Sequence, residues 1–381
     1  MKIELEEHQK MLSTMVKDFL VAECPKTKIR EWEDDEKKGF SPQVWAKMAD
    51  LGWQGLIIPE KYGGQEMSFF ELAIVLEEMG RNILPGPYLS TVIGGCVPIL
   101  EAGTAEQKKR FLPRIAKGES IFTLALIEGL AAYKPSDIAV KATPKGDTYI
   151  INGTKMFVEM AQAADYILCV TRTHESAKPE DGITLFIVDG TTQGIHVEVI
   201  PTMGMDKLCE VRFENVAVPK ENMLGVLDKG WPIIEKTLKQ GTIAKCAEAV
   251  GGMQASLDMC VAYSKERVQY ERPIGAFQVL QHWMADMYIR VQTSKYLVYE
   301  TAWMESNGMP CDKQASETKA YVNEAYKWLA ERAVRLHGGI GTTRDHDIGL
   351  YFRRSEASAT AFGGTDFHKD KVAGLMGLKT A

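Results

Sequence analysis

The chain has 381 residues, of which 45% are apolar and 25% are charged, a composition typical of a soluble globular protein. Disorder, collagen and coiled coil are therefore excluded as descriptions of the whole chain. The 45 basic and 51 acidic side chains give a formal net charge of −6. The chain therefore lacks the excess of positive charge that is typical of proteins that bind nucleic acid or an anionic membrane. The seven cysteines form no CxxC pair, and this pattern indicates a reduced, cytoplasmic protein.

The first 117 residues have the three-or-four spacing of apolar positions that predicts amphipathic helices. Ser41 is a good N-cap because Pro42 follows at the first helical position. Ser68 and Thr104 each precede a Glu or Gln by three residues, which is the capping-box pattern. An uncharged run from 82 to 100 raises the question of a membrane span, but its prolines, glycines and polar residues favour a buried helix from about Pro87.

From about residue 120 to 226 the apolar period drops to two, which predicts short strands. Turn sequences such as Asn152-Gly153 separate them, so we expect an antiparallel sandwich or barrel. The predicted strands are Ile121–Ile127, Ala139–Thr143, Thr148–Asn152, Tyr166–Thr171, Thr184–Val188, His196–Val199 and Val211–Val216.

After Gly230 the pattern is helical again, with long segments at 231–269, 277–306, 312–337 and 344–361 that predict a four-helix bundle. The fold class is therefore α+β. The predicted domains are an N-terminal helical domain at 1–118, a middle β-barrel or sandwich domain at 119–227, and a C-terminal helical bundle at 228–381.

Several common catalytic signatures are absent from the sequence. It contains no GxGxxG fingerprint, no P-loop and no GxSxG nucleophile elbow. His and Cys are not spaced as metal ligands, so no metal site is predicted.

Six segments in order are similar to those of the acyl-CoA dehydrogenase family, and they cover nearly the whole chain. They are LIIPEKYGGQEMSFFELAIVLEEMGR (56–81), GDTYIINGTKMFVEMAQAADYILCV (146–170), ITLFIVDG (183–190), VRFENVAVPKENMLG (211–225), YSKERVQYERPIGAFQVLQHWMADM (263–287) and RLHGGIGTTRDHDIGLYFRR (335–354). GRNILPGPYLS (80–90) and the FGG near the C-terminus resemble the branch with pimeloyl-CoA dehydrogenase small subunits and steroid side-chain acyl-CoA dehydrogenases.

This resemblance implies an FAD-dependent oxidoreductase that introduces an α,β double bond into an acyl-CoA thioester. A carboxylate would remove the Cα proton, and the flavin would accept the hydride. It also implies a tetramer, either a homotetramer or a heterotetramer with a related subunit, and an electron-transfer flavoprotein as electron acceptor.

The resemblance assigns a first set of cofactor contacts to the start of the bundle. It places Arg267 at the FAD pyrophosphate across a subunit interface, where a guanidinium can bind phosphate through two hydrogen bonds. Tyr270 stands where the family usually has Phe, and Gln278 matches a Gln near the adenine. Without the resemblance, Arg267 could equally form a surface salt bridge, Tyr270 could be an ordinary core aromatic residue, and Gln278 could be an amide on a helix surface.

A second set lies near the C-terminus. Gly338 and Gly339 match a turn whose backbone approaches FAD, although two glycines also commonly end a helix. Arg335 replaces the usual Gln before that turn, and Thr365 matches a Thr on the flavin side.

The sequence departs from the family at the flavin-facing loop, which spans residues 127–134. Ile127 replaces a Thr that bonds the flavin ring, and Tyr133 replaces a Ser, whereas Glu128 and Ala131 are retained. The family's Trp-x-Thr becomes Phe157-Val158-Glu159. Phe157 can still pack on a ring, but Glu159 places a carboxylate where a hydroxyl faces the flavin.

Both usual positions of the catalytic glutamate are occupied by glycine. Gly363 stands in the Tyr-Glu-Gly-Thr pattern, and Gly241 stands at the alternate position on the first long bundle helix. Glycine cannot remove a proton. Asp366, Glu248 and Glu159 are candidate substitutes, although a salt-bridged or solvated carboxylate is the favoured interpretation of each.

Three hypotheses follow. The chain is an acyl-CoA dehydrogenase with an unconventional base, acting on a branched, cyclic or dicarboxylic acyl-CoA. Alternatively, it is a non-catalytic subunit that completes a partner's FAD site. A non-oxidative lyase on the same fold ranks below both.

Overall fold

A computed structural model describes residues 4–129 and 133–378. Its backbone divides into two compact units. The first unit comprises residues 1–29, 68–84 and 242–381, and the second comprises residues 30–67 and 85–241.

Eleven α-helices are present in the described residues. They are α1 (Glu7–Glu23), α2 (Lys26–Asp34), α3 (Pro42–Asp50), α4 (Phe69–Asn82), α5 (Val97–Ala102), α6 (Ala105–Ala116), α7 (Trp231–Glu266), α8 (Gln278–Ser306), α9 (Asp312–His337), α10 (Ile348–Thr360) and α11 (Thr365–Leu375). The three predicted caps are confirmed, since the Ser41, Ser68 and Thr104 side chains accept backbone hydrogen bonds at their helix starts. The uncharged run is helical from Tyr88 onward, close to the predicted start at Pro87, with a π-helical segment at Ser90–Cys96.

The second unit contains one eight-stranded sheet in the order β6-β7-β3-β2-β4-β5-β8, with β1 paired beside β4. Its strands are β1 (Phe122–Ala125), β2 (Lys141–Lys145), β3 (Thr148–Glu159), β4 (Tyr166–Arg172), β5 (Ile183–Asp189), β6 (Ile195–Ile200), β7 (Leu208–Pro219) and β8 (Met223–Leu224). The predicted order of helices, strands and helices is confirmed. The arrangement differs from a purely antiparallel one because β1 and β2 each run parallel to β4, and the described strands form no closed barrel.

Strand β4 explains how this sheet is held in place. Leu168 and Val170 pack with Phe111 and Trp231 from the helices on one face. Ile167 and Cys169 point to the opposite face and pack into a second core. Because both faces of the strand are buried, its sequence is an almost continuous apolar run.

In the first unit, α4 and α7 cross at two glycines. A Cβ atom at Gly80 would lie 1.8 Å from the Glu248 carbonyl oxygen, and one at Gly251 would lie 1.8 Å from the Glu77 carbonyl oxygen. Only glycine permits backbones to approach this closely. A short hairpin of β9 (Val268–Gln269) and β10 (Arg272–Pro273) follows α7.

Candidate active site and its family

The turn between α10 and α11 contains the usual base position. Phe362 has φ +58° and Gly363 has φ +108°, so two successive residues adopt left-handed backbone conformations. A Cβ atom at Gly363 would lie 2.5 Å from Cδ1 of Phe367 and 2.8 Å from Nε2 of His368. The turn is therefore built around a glycine, and a glutamate here requires the backbone to change.

His368 stabilises this turn through a hydrogen bond. Its side chain is buried, and Nε2 lies 3.0 Å from the Phe362 carbonyl oxygen. Since a carbonyl only accepts, Nε2 carries the proton. Nδ1 is buried and has no hydrogen-bond partner among the described residues. Burial lowers the pKa of His368 to about 4, so the ring is neutral at pH 7.

The C-terminal end of α10 is capped by side chains from α9. Lys319 donates to the Ser358 carbonyl oxygen at 2.7 Å, and Asn323 donates to the Ala359 carbonyl oxygen at 3.1 Å. These contacts satisfy carbonyls that the helix leaves without partners. Lys319 is almost completely buried, and burial lowers its pKa to about 8.

The alternate base position, Gly241, lies on α7 and is buried. Glu248 follows two helical turns later on a similar face, but its carboxylate is already paired. It lies 2.8 Å from Nζ of Lys245 and 3.5 Å from Nη1 of Arg354. Burial opposes ionisation of Glu248, but these two cations outweigh it and lower its pKa. This paired carboxylate is a poor proton acceptor.

The other candidate near the turn is Asp366. It is exposed in the first turn of α11, one residue after Thr365, which begins that helix. An acidic residue at this place also stabilises the positive end of a helix dipole.

The hairpin after α7 presents the first set of predicted cofactor contacts to solvent. Tyr270 is 87% exposed, with φ +51°. Arg267 and Gln278 are also exposed. Within residues 4–129 and 133–378, the Arg267 guanidinium lies within salt-bridge distance of no carboxylate. The arrangement leaves a cationic, aromatic and amide group available to a ligand or another chain.

The second set stands at the end of α9. Gly338, with φ +67°, follows the helix, and a Cβ atom at Gly338 or Gly339 would meet no atom within 4 Å. Arg335 is exposed in the last helical turn. These open glycines and a nearby guanidinium suit an anionic group such as a phosphate.

In the second unit, Glu128 has a structural role at the start of the segment that departs from the family pattern. Its carboxylate accepts from Nζ of Lys155 at 2.6 Å and from the backbone N–H groups of Ala139 and Val140 at 3.0–3.1 Å. Lys155 is fully buried and also donates to the Leu126 carbonyl oxygen. Retention of Glu128 thus has a structural reason. Leu130, Ala131 and Ala132 lie outside the described residues.

Phe157 stands at an irregularity in the pairing of β3 with β7, between Lys155 and Val158. It has φ +54°, and 38% of it is exposed despite its apolar ring. Glu159 ends the strand and is half-buried, while its carbonyl oxygen accepts from the Thr123 hydroxyl. An exposed ring held by a strained backbone is a suitable surface for a planar cofactor.

Several charged and titratable residues that pack near these positions were not predicted, namely Lys245, Lys319, Arg354 and His368. One signal could have identified Lys245, because it interrupts an apolar stretch one helical turn after Gly241.

Neither a membrane span nor a metal centre emerges from the described residues. None of their helices has the length and apolar character that crossing a membrane requires. They also contain no group of three or more His, Cys, Asp or Glu side chains that could hold a metal ion.

Comparison with known proteins gives concordant matches along the chain. Residues 6–119 match the acyl-CoA dehydrogenase N-terminal domain, residues 128–216 the middle domain, and residues 228–376 the C-terminal domain. The chain is 31% identical to a short-chain specific acyl-CoA dehydrogenase of Clostridium acetobutylicum, covering 99% of this chain and 100% of that one. The chain belongs to the acyl-CoA dehydrogenase family.

Two further similarities support this assignment. A caffeyl-CoA reductase-Etf complex subunit, CarC, from Acetobacterium woodii is 30% identical, over 97% of this chain and 98% of CarC. The structure of butyryl-CoA dehydrogenase from Megasphaera elsdenii superposes with a TM-score of 0.92 at 28% identity, covering 99% and 100% of the two chains. The predicted family, enzyme class and FAD cofactor are thereby confirmed.

In this acyl-CoA dehydrogenase family member, the residues predicted to contact FAD fit its pyrophosphate better than its flavin ring. Exposed guanidiniums at Arg267 and Arg335 and the open backbone at Gly338 and Gly339 suit the pyrophosphate. Where the resemblance places the flavin ring, Ile127 offers no side-chain hydrogen-bond donor. Its carbonyl oxygen accepts from the Met156 N–H, a bond to β3 of the sheet.

Proposed function

We propose that this chain is the subunit of a heteromeric acyl-CoA dehydrogenase that completes the FAD site, while a related subunit supplies the catalytic carboxylate. The observation that carries the proposal is the backbone at Gly363. Its φ of +108° is strained for any other residue, and a Cβ atom there would lie 2.5 Å from Cδ1 of Phe367 and 2.8 Å from Nε2 of His368, so a glutamate would require the turn to change.

No other carboxylate compensates convincingly for that glycine. Glu248 is paired with Lys245 and Arg354, and a base must be free to accept a proton. Asp366 is exposed at the start of α11. Glu159 is half-buried where β3 ends. The base is therefore assigned to another chain.

The chain's own role is to bind and orient the cofactor. FAD, when bound, supplies the hydride-accepting chemistry. Arg267 and Arg335 would neutralise the phosphates, Gly338 and Gly339 would present backbone N–H groups, and Gln278 would bond the adenine. Tyr270, Phe157 and Thr365 would contact the remaining parts of the cofactor.

We infer further that the working assembly is a cytoplasmic tetramer that exchanges electrons with an electron-transfer flavoprotein. The name of the relative CarC, a subunit of a reductase-Etf complex, supports that electron partner. The exposed hairpin with Arg267 supports a cofactor shared between subunits, because its cationic group faces away from the fold.

The second candidate is a homomeric dehydrogenase that uses Asp366 as its base. The position of Asp366, three residues after Gly363 and in the first turn of α11, favours it. The substrate would then be oxidised by this chain alone.

The test uses co-expression with a related chain that carries glutamate at either usual base position. We expect oxidation of acyl-CoA only in the co-purified complex. Replacing the related chain's glutamate by Gln should abolish activity and leave flavin bound, whereas Arg267→Gln in this chain should release flavin. Activity of this chain alone, lost in Asp366→Asn, would overturn the proposal in favour of the homomer. Turnover of a thioester without any electron acceptor would instead indicate lyase chemistry.

A further inference from the structure

The turn that follows α9 has a backbone conformation that only glycine adopts readily. Gly338 has φ +67° and ψ −144°, a region that is almost closed to residues with a side chain. The turn then folds back on the helix, because a Cβ atom at Gly341 would lie 2.7 Å from the Val334 carbonyl oxygen and 3.0 Å from Cβ of His337. The position of the turn is therefore set by the last residues of α9.

His337 is the last residue of α9, and its imidazole ring is buried. The centroid of this ring lies 4.6 Å from the ring centroid of Tyr263 on α7, and also 4.6 Å from that of His346, which precedes α10. The Tyr263 hydroxyl donates to the His337 carbonyl oxygen at 3.4 Å. One residue thus joins α7 and the segment before α10 to the start of the turn.

Hydrogen bonds fix the orientation of both imidazole rings. Nδ1 of His337 lies 2.7 Å from the Ala333 carbonyl oxygen, and it carries the proton because a carbonyl only accepts. Nδ1 of His346 accepts from the Ile348 N–H at 3.2 Å, so it carries none. Burial lowers the pKa of His337, and the neighbouring His346 adds to this effect. The His337 ring is therefore held neutral and in one orientation near pH 7.

The contacts of His337 are more specific than filling a core requires. An apolar side chain is the usual filling of a buried position at a helix end. His337 instead uses its ring, its ring nitrogen and its carbonyl oxygen, each in a different contact. All three contacts are made by the residue that directly precedes Gly338. A displacement of the His337 ring would therefore be transmitted to the backbone of the turn.

We propose that His337 is a positioning residue for the cofactor: packed against Tyr263 and His346, it fixes the turn of Gly338 and Gly339 for the FAD pyrophosphate. This inference rests on the proposed function, because it assumes that the turn binds FAD. A binding group that is held in place before its ligand arrives loses little conformational freedom on binding. Without the His337 ring the turn would have to be ordered by FAD itself, and the affinity for FAD would fall.

The test measures the FAD dissociation constant of the full chain in its assembled complex, by flavin fluorescence during ultrafiltration. His337→Ala should raise this constant about tenfold, the effect of losing one charge-assisted hydrogen bond. His337→Phe keeps a ring of similar size against Tyr263 and His346, and it should bind FAD within about twofold of the wild type. ADP has the pyrophosphate but no flavin ring. Its inhibition constant in competition with FAD should also rise about tenfold in His337→Ala.

Two further variants separate positioning from a general loss of stability. Phe70→Ala removes another buried ring of the same unit, which packs on Tyr299. It should lower the free energy of unfolding and leave the FAD dissociation constant unchanged. Gly341→Ala forces the turn away from α9 but keeps the His337 ring, so it should weaken FAD binding as His337→Ala does.

Three results would overturn this inference and leave the proposed function intact. They are unchanged FAD and ADP binding in His337→Ala, an equal loss of FAD affinity in Phe70→Ala, and FAD binding by His337→Phe that is as weak as that of His337→Ala. Arg267→Gln reports on the proposed function itself. If this variant also binds FAD as tightly as the wild type, the proposed function fails as well.

Discussion

Nε2 of His368 lies 3.0 Å from the carbonyl oxygen of Phe362, and this contact closes the turn that contains Gly363. The same nitrogen would lie 2.8 Å from a Cβ atom at Gly363. The histidine that stabilises the turn therefore also excludes a side chain from the usual base position. The glycine at position 363 and the histidine at position 368 therefore belong to the same turn structure, and each fits the other.

Gly363→Ala should destabilise the protein, because alanine is strained at φ +108° and its Cβ collides with Phe367 and His368. We expect the free energy of unfolding to fall by about 1–3 kcal/mol. Gly364→Ala is the matched control, since this neighbour has φ −74° and its Cβ would be 4.0 Å from the nearest atom. Urea denaturation measures both variants. Equal stability of the two would refute the strained-turn explanation.

Stability should decrease in acid because of His368. Its pKa is about 4 in the folded state and about 6.5 when unfolded. Between these values the unfolded chain binds the additional proton, so stability falls as the pH falls from about 6.5 to about 4, by at most about 1.4 kcal/mol per pH unit. His368→Gln keeps a donor for Phe362 and should have a flatter stability profile across this range. His282→Gln, at an exposed histidine, should retain the wild-type slope; identical profiles for all three proteins would contradict the prediction.

Arg267→Gln should weaken FAD binding without changing the fold. The guanidinium is exposed and lies near no carboxylate among the described residues, so the free energy of unfolding of the flavin-free chain should change by less than about 0.5 kcal/mol. The dissociation constant of FAD from the assembled enzyme should rise about tenfold or more, as expected for loss of a charge-assisted phosphate contact. Flavin fluorescence during ultrafiltration measures this constant. The control is Lys265→Gln, another exposed cation at the end of α7.

The Glu128–Lys155 pair predicts an asymmetry between its two truncations. Glu128→Ala leaves the fully buried Lys155 ammonium with the Leu126 carbonyl oxygen and should cost about 3–5 kcal/mol. Lys155→Met should cost less, because Glu128 keeps the N–H groups of Ala139 and Val140. Thermal and urea unfolding of both variants measure the difference. As a control, breaking the exposed Lys229–Asp181 pair with Lys229→Ala should cost under about 1 kcal/mol. If Lys155→Met lowers the free energy of unfolding more than Glu128→Ala does, the predicted asymmetry is wrong.

Local structure could be predicted from the sequence because its determinants lie within a few residues of each other. The caps at Ser41, Ser68 and Thr104 each depend on a side chain and an N–H group in the same helical turn. All seven predicted strands are present. The parallel pairing of β1 with β4 was not predicted, because it depends on the path of the chain between strands.

The candidate site could be predicted only in part, for a related reason. Motif positions such as Arg267 and Gly363 are visible because each lies in a continuous segment. The group around Glu248 joins α7, α9 and α10, and its members have no distinctive spacing in the sequence. Glu248 pairs with Lys245 on its own helix and also with Arg354, which is far away along the chain and could not be matched to it from the sequence.

The most direct test of the central claim is an anaerobic titration of the FAD-loaded isolated chain with acyl-CoA, followed by absorption at the flavin band. Without its own base, the chain should leave the oxidised flavin spectrum unchanged with both adipyl-CoA and hexanoyl-CoA. Addition of the related subunit that carries the glutamate should then bleach the flavin. Bleaching of the isolated chain by either thioester would contradict the assignment of the base to another subunit.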